Sequence, residues 1–128
     1  MSWKTSTPGR TTSRLSVLSR IVLVPFPFDD LTSTKVRPAV CLTDEIGPHH
    51  HVVLALIPSE VPESPSATDI VMRPDDPDFA ATGLRVASAI RLHRLMTVSS
   101  EMIRRTLGTL PDPVATRVGG ALRELFQL

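Results

Sequence analysis

Aromatic side chains are scarce in this chain: 4% of its residues, with no tyrosine and a single tryptophan. A broad aromatic platform for stacking is therefore excluded, and Phe26 and Phe28 read first as core or interface residues. There is one cysteine, Cys41, so no internal disulfide can form. It lies in an apolar run, which favours a buried thiol over a nucleophile. Charge of either sign is not in excess, the formal net charge being +1. The chain is thus no general polyanion binder, and any nucleic-acid site must be a local cluster of arginines. No apolar run approaches the roughly 18 residues of a membrane-spanning helix. The basic N-terminus lacks the apolar segment of a signal peptide, so a soluble, cytoplasmic protein is expected.

What is present fits one globular unit. A length of 128 residues matches a single domain, and 41% apolar with 21% charged residues is ordinary for a packed core. Residues 1–18 are rich in Ser and Thr, carry Lys4, Arg10 and Arg14, and contain no acid. They are expected to form a flexible basic arm, leaving 19–128 as the folded domain, with Val17 and Leu18 packing near the first strand.

Residues 21–43 organise that domain. The run Ile21–Phe28 predicts a strand, bent or placed at an edge by Pro25 and Pro27, which have no amide donors. A polar loop, Asp29–Thr34, leads into Lys35, Arg37 and a second strand, Val36–Thr43. Gly47 and Pro48 mark a turn. The successive His49, His50 and His51 suggest a metal, but three adjacent residues cannot all face one ion from a strand, so a solvated turn is expected. Val52–Ile57 predicts a buried third strand, and Ile70–Met72 a short one after a Pro/Ser linker. Leu84–Ile90 predicts another strand. In Arg91–Thr97, basic and apolar residues alternate, with Arg91 and His93 on the face opposite Leu92.

Two short helices are predicted to end the chain. Ser99 is a capping residue with Glu101 near the N-terminus, Met102, Ile103 and Leu107 supply an apolar side, and Gly108 a stop. Asp112 and Pro113 start the second helix, whose stripe is Val114, Val118, Ala121, Leu122 and Leu125. Several short strands followed by helices point to a mainly β (α+β) domain, a small curled sheet with helical decoration.

The order IVLVPFPFDDL, KVRPAVCLT, VVLALIPS, TGLRVASAIRLHRLMTV and MIRRTLGTL…VATRVGGALREL resembles the PemK/MazF toxins of type II toxin–antitoxin systems over residues 20–126. The resemblance implies a small SH3-like barrel of curled antiparallel strands with C-terminal helices, the CcdB/MazF-type toxin fold. It further implies a homodimer, a cognate antitoxin, and sequence-selective, metal-free cleavage of single-stranded RNA with no cofactor. Arg37 matches the family's catalytic arginine. Pro58 falls where the family commonly places a Thr, so Ser59, one step later, is the candidate hydroxyl. Ser88 falls where some relatives have an acid. Lys35, Phe28, Asp30, Ser88, Arg91 and His93 are the candidate RNA-contacting residues. The alternative on the same scaffold is a non-enzymatic toxin that binds a protein target, as gyrase-binding toxins do, or a weakened member that mainly binds its antitoxin.

Overall fold

The computed structural model describes residues 16–26 and 35–128. Among the described residues six strands form one antiparallel sheet: β1 (Arg20–Phe26), β2 (Lys35–Cys41), β3 (His51–Leu56), β4 (Asp69–Met72), β5 (Ser88–Ser99) and β6 (Arg105–Thr109). Their order is β4-β5-β3-β2-β1-β6, so the sheet curls into a half-barrel with the first strand near one end. One helix, α1 (Asp112–Leu125), follows.

Strict alternation along the strands sorts the apolar residues into two cores. Ile21, Val40, Ala55, Ile57, Ile90 and Leu92 pack on one face with Val118 and Ala121 of α1. Val22, Val24, Phe26, Ala39, Cys41, Val52, Leu54 and Leu56 pack on the other face with Val98. Strands buried on both faces explain why these segments are near-continuous apolar runs. Val17 joins the second core, and its amide donates to Asp44 Oδ1 at 3.1 Å, whereas Leu18 is exposed. The strand boundaries of β1 to β4 follow the sequence expectation to within a residue or two. The expected Asp29–Thr34 loop lies outside the described residues.

The first of the two expected helices is not a helix. Ser99 does cap, its Oγ accepting from the Glu101 amide at 3.3 Å, but the cap serves only a 3-10 turn, Ser100–Met102. The chain then becomes β6 and pairs with β1, from Leu23↔Arg105 to Arg20↔Thr109. Backbone pairing with a buried strand outweighs the local helix signals. Gly108 sits in this strand because a Cβ there would overlap the backbone of Ala81 and Thr82. Gly83, at φ 73°, lies equally close to the Leu107 backbone. These two glycines let the 3-10 turn Phe79–Thr82 lie directly on β6.

The stretch expected as two pieces, 84–90 and 91–97, is mostly one strand, β5, twelve residues long. Its pairing with β3 jumps: Ala55 faces Leu95, but Leu56 faces Arg91. Leu92, His93 and Arg94 therefore have no β3 partner, and β5 bulges outward there. Leu92 stays fully buried and donates its amide to the Thr68 carbonyl at 3.1 Å, while His93 and Arg94 are exposed.

Candidate active site

Three of the candidate residues, Lys35, Arg37 and Arg91, lie on the face opposite α1. Side chains two apart on a strand share a face, so Lys35 and Arg37 lie on the same side as Ala39 and Cys41. Across β1, Arg37 pairs with Val24 and Lys35 with Phe26. On the other side, Ala39 pairs with Leu56, and the Ile57 amide donates to the Pro38 carbonyl at 3.0 Å. Continuing that register one step brings Arg37 opposite Pro58. Leu56 is its diagonal neighbour, at roughly 7–8 Å in such a ladder and within reach of a long side chain.

Pro58 is held from its far side, its carbonyl accepting from the Ala89 amide at 3.3 Å. The position beside Arg37 where a hydroxyl is expected is thus an integral part of the sheet, occupied by a ring without a donor. Ser59 follows it at the exit of β3, exposed.

Arg91 stands on the same face, opposite Leu56 on one side and Asp69 on the other. The Asp69 carboxylate accepts from Arg91 Nε at 2.6 Å and is almost wholly buried, with 2% of its side chain exposed. It also accepts from the Ser66 amide at 2.9 Å and from Ser66 Oγ at 3.2 Å. Burial pushes this carboxyl upward, but the Ser66 hydrogen bonds and the guanidinium outweigh it and hold the group below the ordinary aspartate value. The carboxylate fixes Arg91 through Nε, and the side chain remains partly exposed. Sequence reasoning named Arg91 but missed Asp69, whose only signal was an acid closing a linker 22 residues away.

Ser88 takes no place on this face. It pairs with Met72, shares the helix-covered side with Ile90 and Leu92, is 3% exposed, and donates to the Val86 carbonyl at 2.9 Å. His93 is exposed on the bulge. Phe28 and Asp30 lie outside the described residues.

The remaining candidates are structural. Cys41 is 1% exposed, and burial pushes its thiol up to about 11, with Arg20 lowering and Asp44 raising it further. It is therefore a protonated core residue at neutral pH. His49 and His50 end a tight turn and His51 opens β3: His50, at φ 54°, bonds Glu45 Oε1 at 2.8 Å, and the rings of His49 and His51 lie 5.8 Å apart. Among the described residues no group of three or more metal-ligating side chains converges, and no helix is long and apolar enough to cross a membrane.

The model of the PemK-like, MazF-like toxins of type II toxin–antitoxin systems matches residues 19–126. The chain belongs to this family. No curated protein matches it. The half-barrel of this family member is similar to the Mycobacterium tuberculosis toxin MazF-mt6, with a TM-score of 0.65 at 22% identity over 85% of this chain and 97% of that one. It is also similar to a mycobacterial endoribonuclease in complex with its cognate antitoxin, with a TM-score of 0.65 at 13% identity over 88% and 95%. A second mycobacterial endoribonuclease gives 0.64 at 14% identity over 91% and 97%. At these identities the likeness concerns the fold: the mainly β, MazF/CcdB-type half-barrel.

Proposed function

We propose that the chain is an endoribonuclease toxin that cuts single-stranded RNA at selected sequences. The observation that carries this reading is the placement of Arg37, half-buried at the open end of the apolar face between Val24 and Pro58, in a member of the MazF-like family. The substrate's own 2′-hydroxyl is the nucleophile. Its oxygen bonds to phosphorus and loses its proton, the bond to the 5′-oxygen breaks, and that oxygen is protonated as it leaves. The products are a 2′,3′-cyclic phosphate and a 5′-hydroxyl, and no metal enters the balance. Arg37, permanently charged and planar, stabilises the negative charge gathering on the phosphoryl oxygens. Ser59 and His93 are the groups at hand for moving protons. Lys35 and Arg91 hold the strand. The functional unit is a homodimer, and a cognate antitoxin protein silences it.

Mapping RNA ends after incubation with the purified protein tests this. Discrete cuts are expected, and Arg37→Ala should lower the rate by about 10²–10³, the range for removing one charge-stabilising donor. Expression of residues 19–128 should arrest growth, and the same substitution should relieve it. Equal cleavage by both proteins would remove Arg37 from the mechanism.

A second reading, a weakened nuclease acting mainly as an antitoxin binder, is favoured by one observation: the proline opposite Arg37. Pro58→Thr separates the two, since only a crippled nuclease gains cleavage when the hydroxyl is supplied.

A further inference from the structure

Three successive histidines on a strand cannot share one ion, because neighbouring side chains point to opposite faces. The turn that leads into β3 sorts the three differently. His50, in the left-handed region at φ 54°, is drawn back onto Glu45 Oε1 at 2.8 Å. His49 and His51, two apart and both exposed, come together instead, with ring centres 5.8 Å apart and ring planes tilted by 31°. Zinc–imidazole bonds are about 2.0–2.1 Å long, so an ion bound to one nitrogen of each ring lies about 3 Å from either ring centre, and two rings that share it stand up to about 6 Å apart. The spacing of His49 and His51 falls inside that limit. A small rotation of two exposed side chains narrows the angle at the ion further.

Neither of these two rings has a hydrogen bond or ion pair among the described residues, whereas His50 is held by Glu45. The backbone beneath the pair is fixed. Ile46 and His51 exchange amide-to-carbonyl bonds of 2.8 and 3.0 Å, the His50 amide donates to the Gly47 carbonyl at 3.1 Å, and the His50 carbonyl accepts from the Ser100 amide at 2.9 Å. A turn anchored in this way lowers the ordering cost when a ligand joins the two rings. The pair is also remote from Arg37 and Pro58. β3 is six residues long, which puts roughly 17 Å of strand between His51 and Leu56.

We propose that His49 and His51 form a two-imidazole site at the head of β3 for a divalent late first-row transition ion, Zn²⁺ or Cu²⁺. Imidazole nitrogen suits zinc, copper and nickel, whereas Mg²⁺ and Ca²⁺ take oxygen ligands. Cu²⁺ should bind more tightly than Zn²⁺, as the general order of divalent affinities requires. Two protein ligands leave the other positions to water, so the ion exchanges, unlike that of a closed four-ligand structural site. It plays no part in RNA cleavage, and the proposal stands apart from the endoribonuclease reading.

The test is titration calorimetry of the full chain, free of any histidine tag, with ZnCl₂, CuCl₂ and MgCl₂. The proteins compared are the wild type, His49→Ala, His51→Ala and His50→Asn, each checked for folding by circular dichroism. Asparagine tolerates the left-handed backbone of position 50, so the turn is kept. The wild type and His50→Asn should each bind one Zn²⁺ or Cu²⁺ with the same Kd and take up no Mg²⁺. His49→Ala and His51→Ala should each weaken binding by about tenfold or more, the least that losing a supporting group costs a metal site. A wild type that binds neither Zn²⁺ nor Cu²⁺ more tightly than His49→Ala overturns the site. A His50→Asn protein weakened as much as the other two overturns it as well, since a merely flexible histidine run would use any of its three rings.

Discussion

The two faces of the sheet come from the same strands and the same aliphatic residues, yet they end differently. On one, α1 closes the core with Val118 and Ala121, and the strand residues beneath it are uncharged. On the other, no helix among the described residues covers the strand ends, and the apolar rows run out into Arg37, Lys35 and Arg91. A strand can serve both faces because its side chains alternate, one set packing to each side, with the charged residues only where the second set ends. Stability and activity should therefore separate by face, and this can be tested.

The largest effect is expected on the covered face. Leu92→Ala removes a fully buried side chain and should cost about 2–5 kcal/mol in urea unfolding, with the cutting pattern of the folded fraction retained. Loss of the pattern at unchanged stability would erase the distinction between the faces. Next comes the one buried acid among the described residues of the open face. Asp69→Ala removes the acceptor of the Ser66 and Arg91 hydrogen bonds and, since the partly exposed Arg91 keeps access to water, should cost about 1–3 kcal/mol. Because the folded carboxyl lies below its ordinary value, its stabilising contribution is fully present at neutral pH. That contribution fades as the pH drops through the ordinary carboxylate range near ~3.9 and is lost below the folded value. Wild-type stability should thus fall more steeply in acid than that of Asp69→Asn; parallel acid curves would show that the charge contributes nothing.

A smaller change should act on activity alone. Pro58→Thr restores a hydroxyl opposite Arg37 and should raise RNA cleavage by about tenfold or more, at the low end of general acid–base effects. An unchanged rate would assign the proton transfer elsewhere, with Ser59 and His93 next to test. The mildest test lies on the outer surface of α1. Gly119 and Gly120 are exposed, and a Cβ at either meets nothing within 4 Å. Gly119→Ala and Gly120→Ala should each stabilise by about 1 kcal/mol and leave RNA cleavage as it was, which thermal unfolding and the end-mapping assay would show.

Much of this was legible in the chain itself. β1 to β4 announce themselves as short apolar runs bounded by Pro, Gly and Asp, and α1 by its Asp-Pro start and apolar stripe. The order of the segments, with Arg37 ahead of the second run, carried the family. What escaped notice depends on contacts distant in sequence. Ser99, Glu101 and Gly108 form a convincing local helix pattern, but pairing with β1 more than eighty residues earlier decides that segment. The bulge interrupts the period-two pattern of β5, so one strand looked like two. Ser88 looked available for a ligand because nothing nearby shows which face it takes; Met72 across the ladder settles it. The Asp69–Arg91 pair joins two segments with no shared motif.

The unmatched residues of β5 have one more consequence. Since Leu92 is anchored in the core and Leu95 resumes pairing with Ala55, His93 and Arg94 are tethered at both ends yet constrain no neighbour's register. Their identity can drift without a compensating change elsewhere in the sheet. Two positions of the sheet can thus change in charge and size while the strand pairing on either side of them stays as it is.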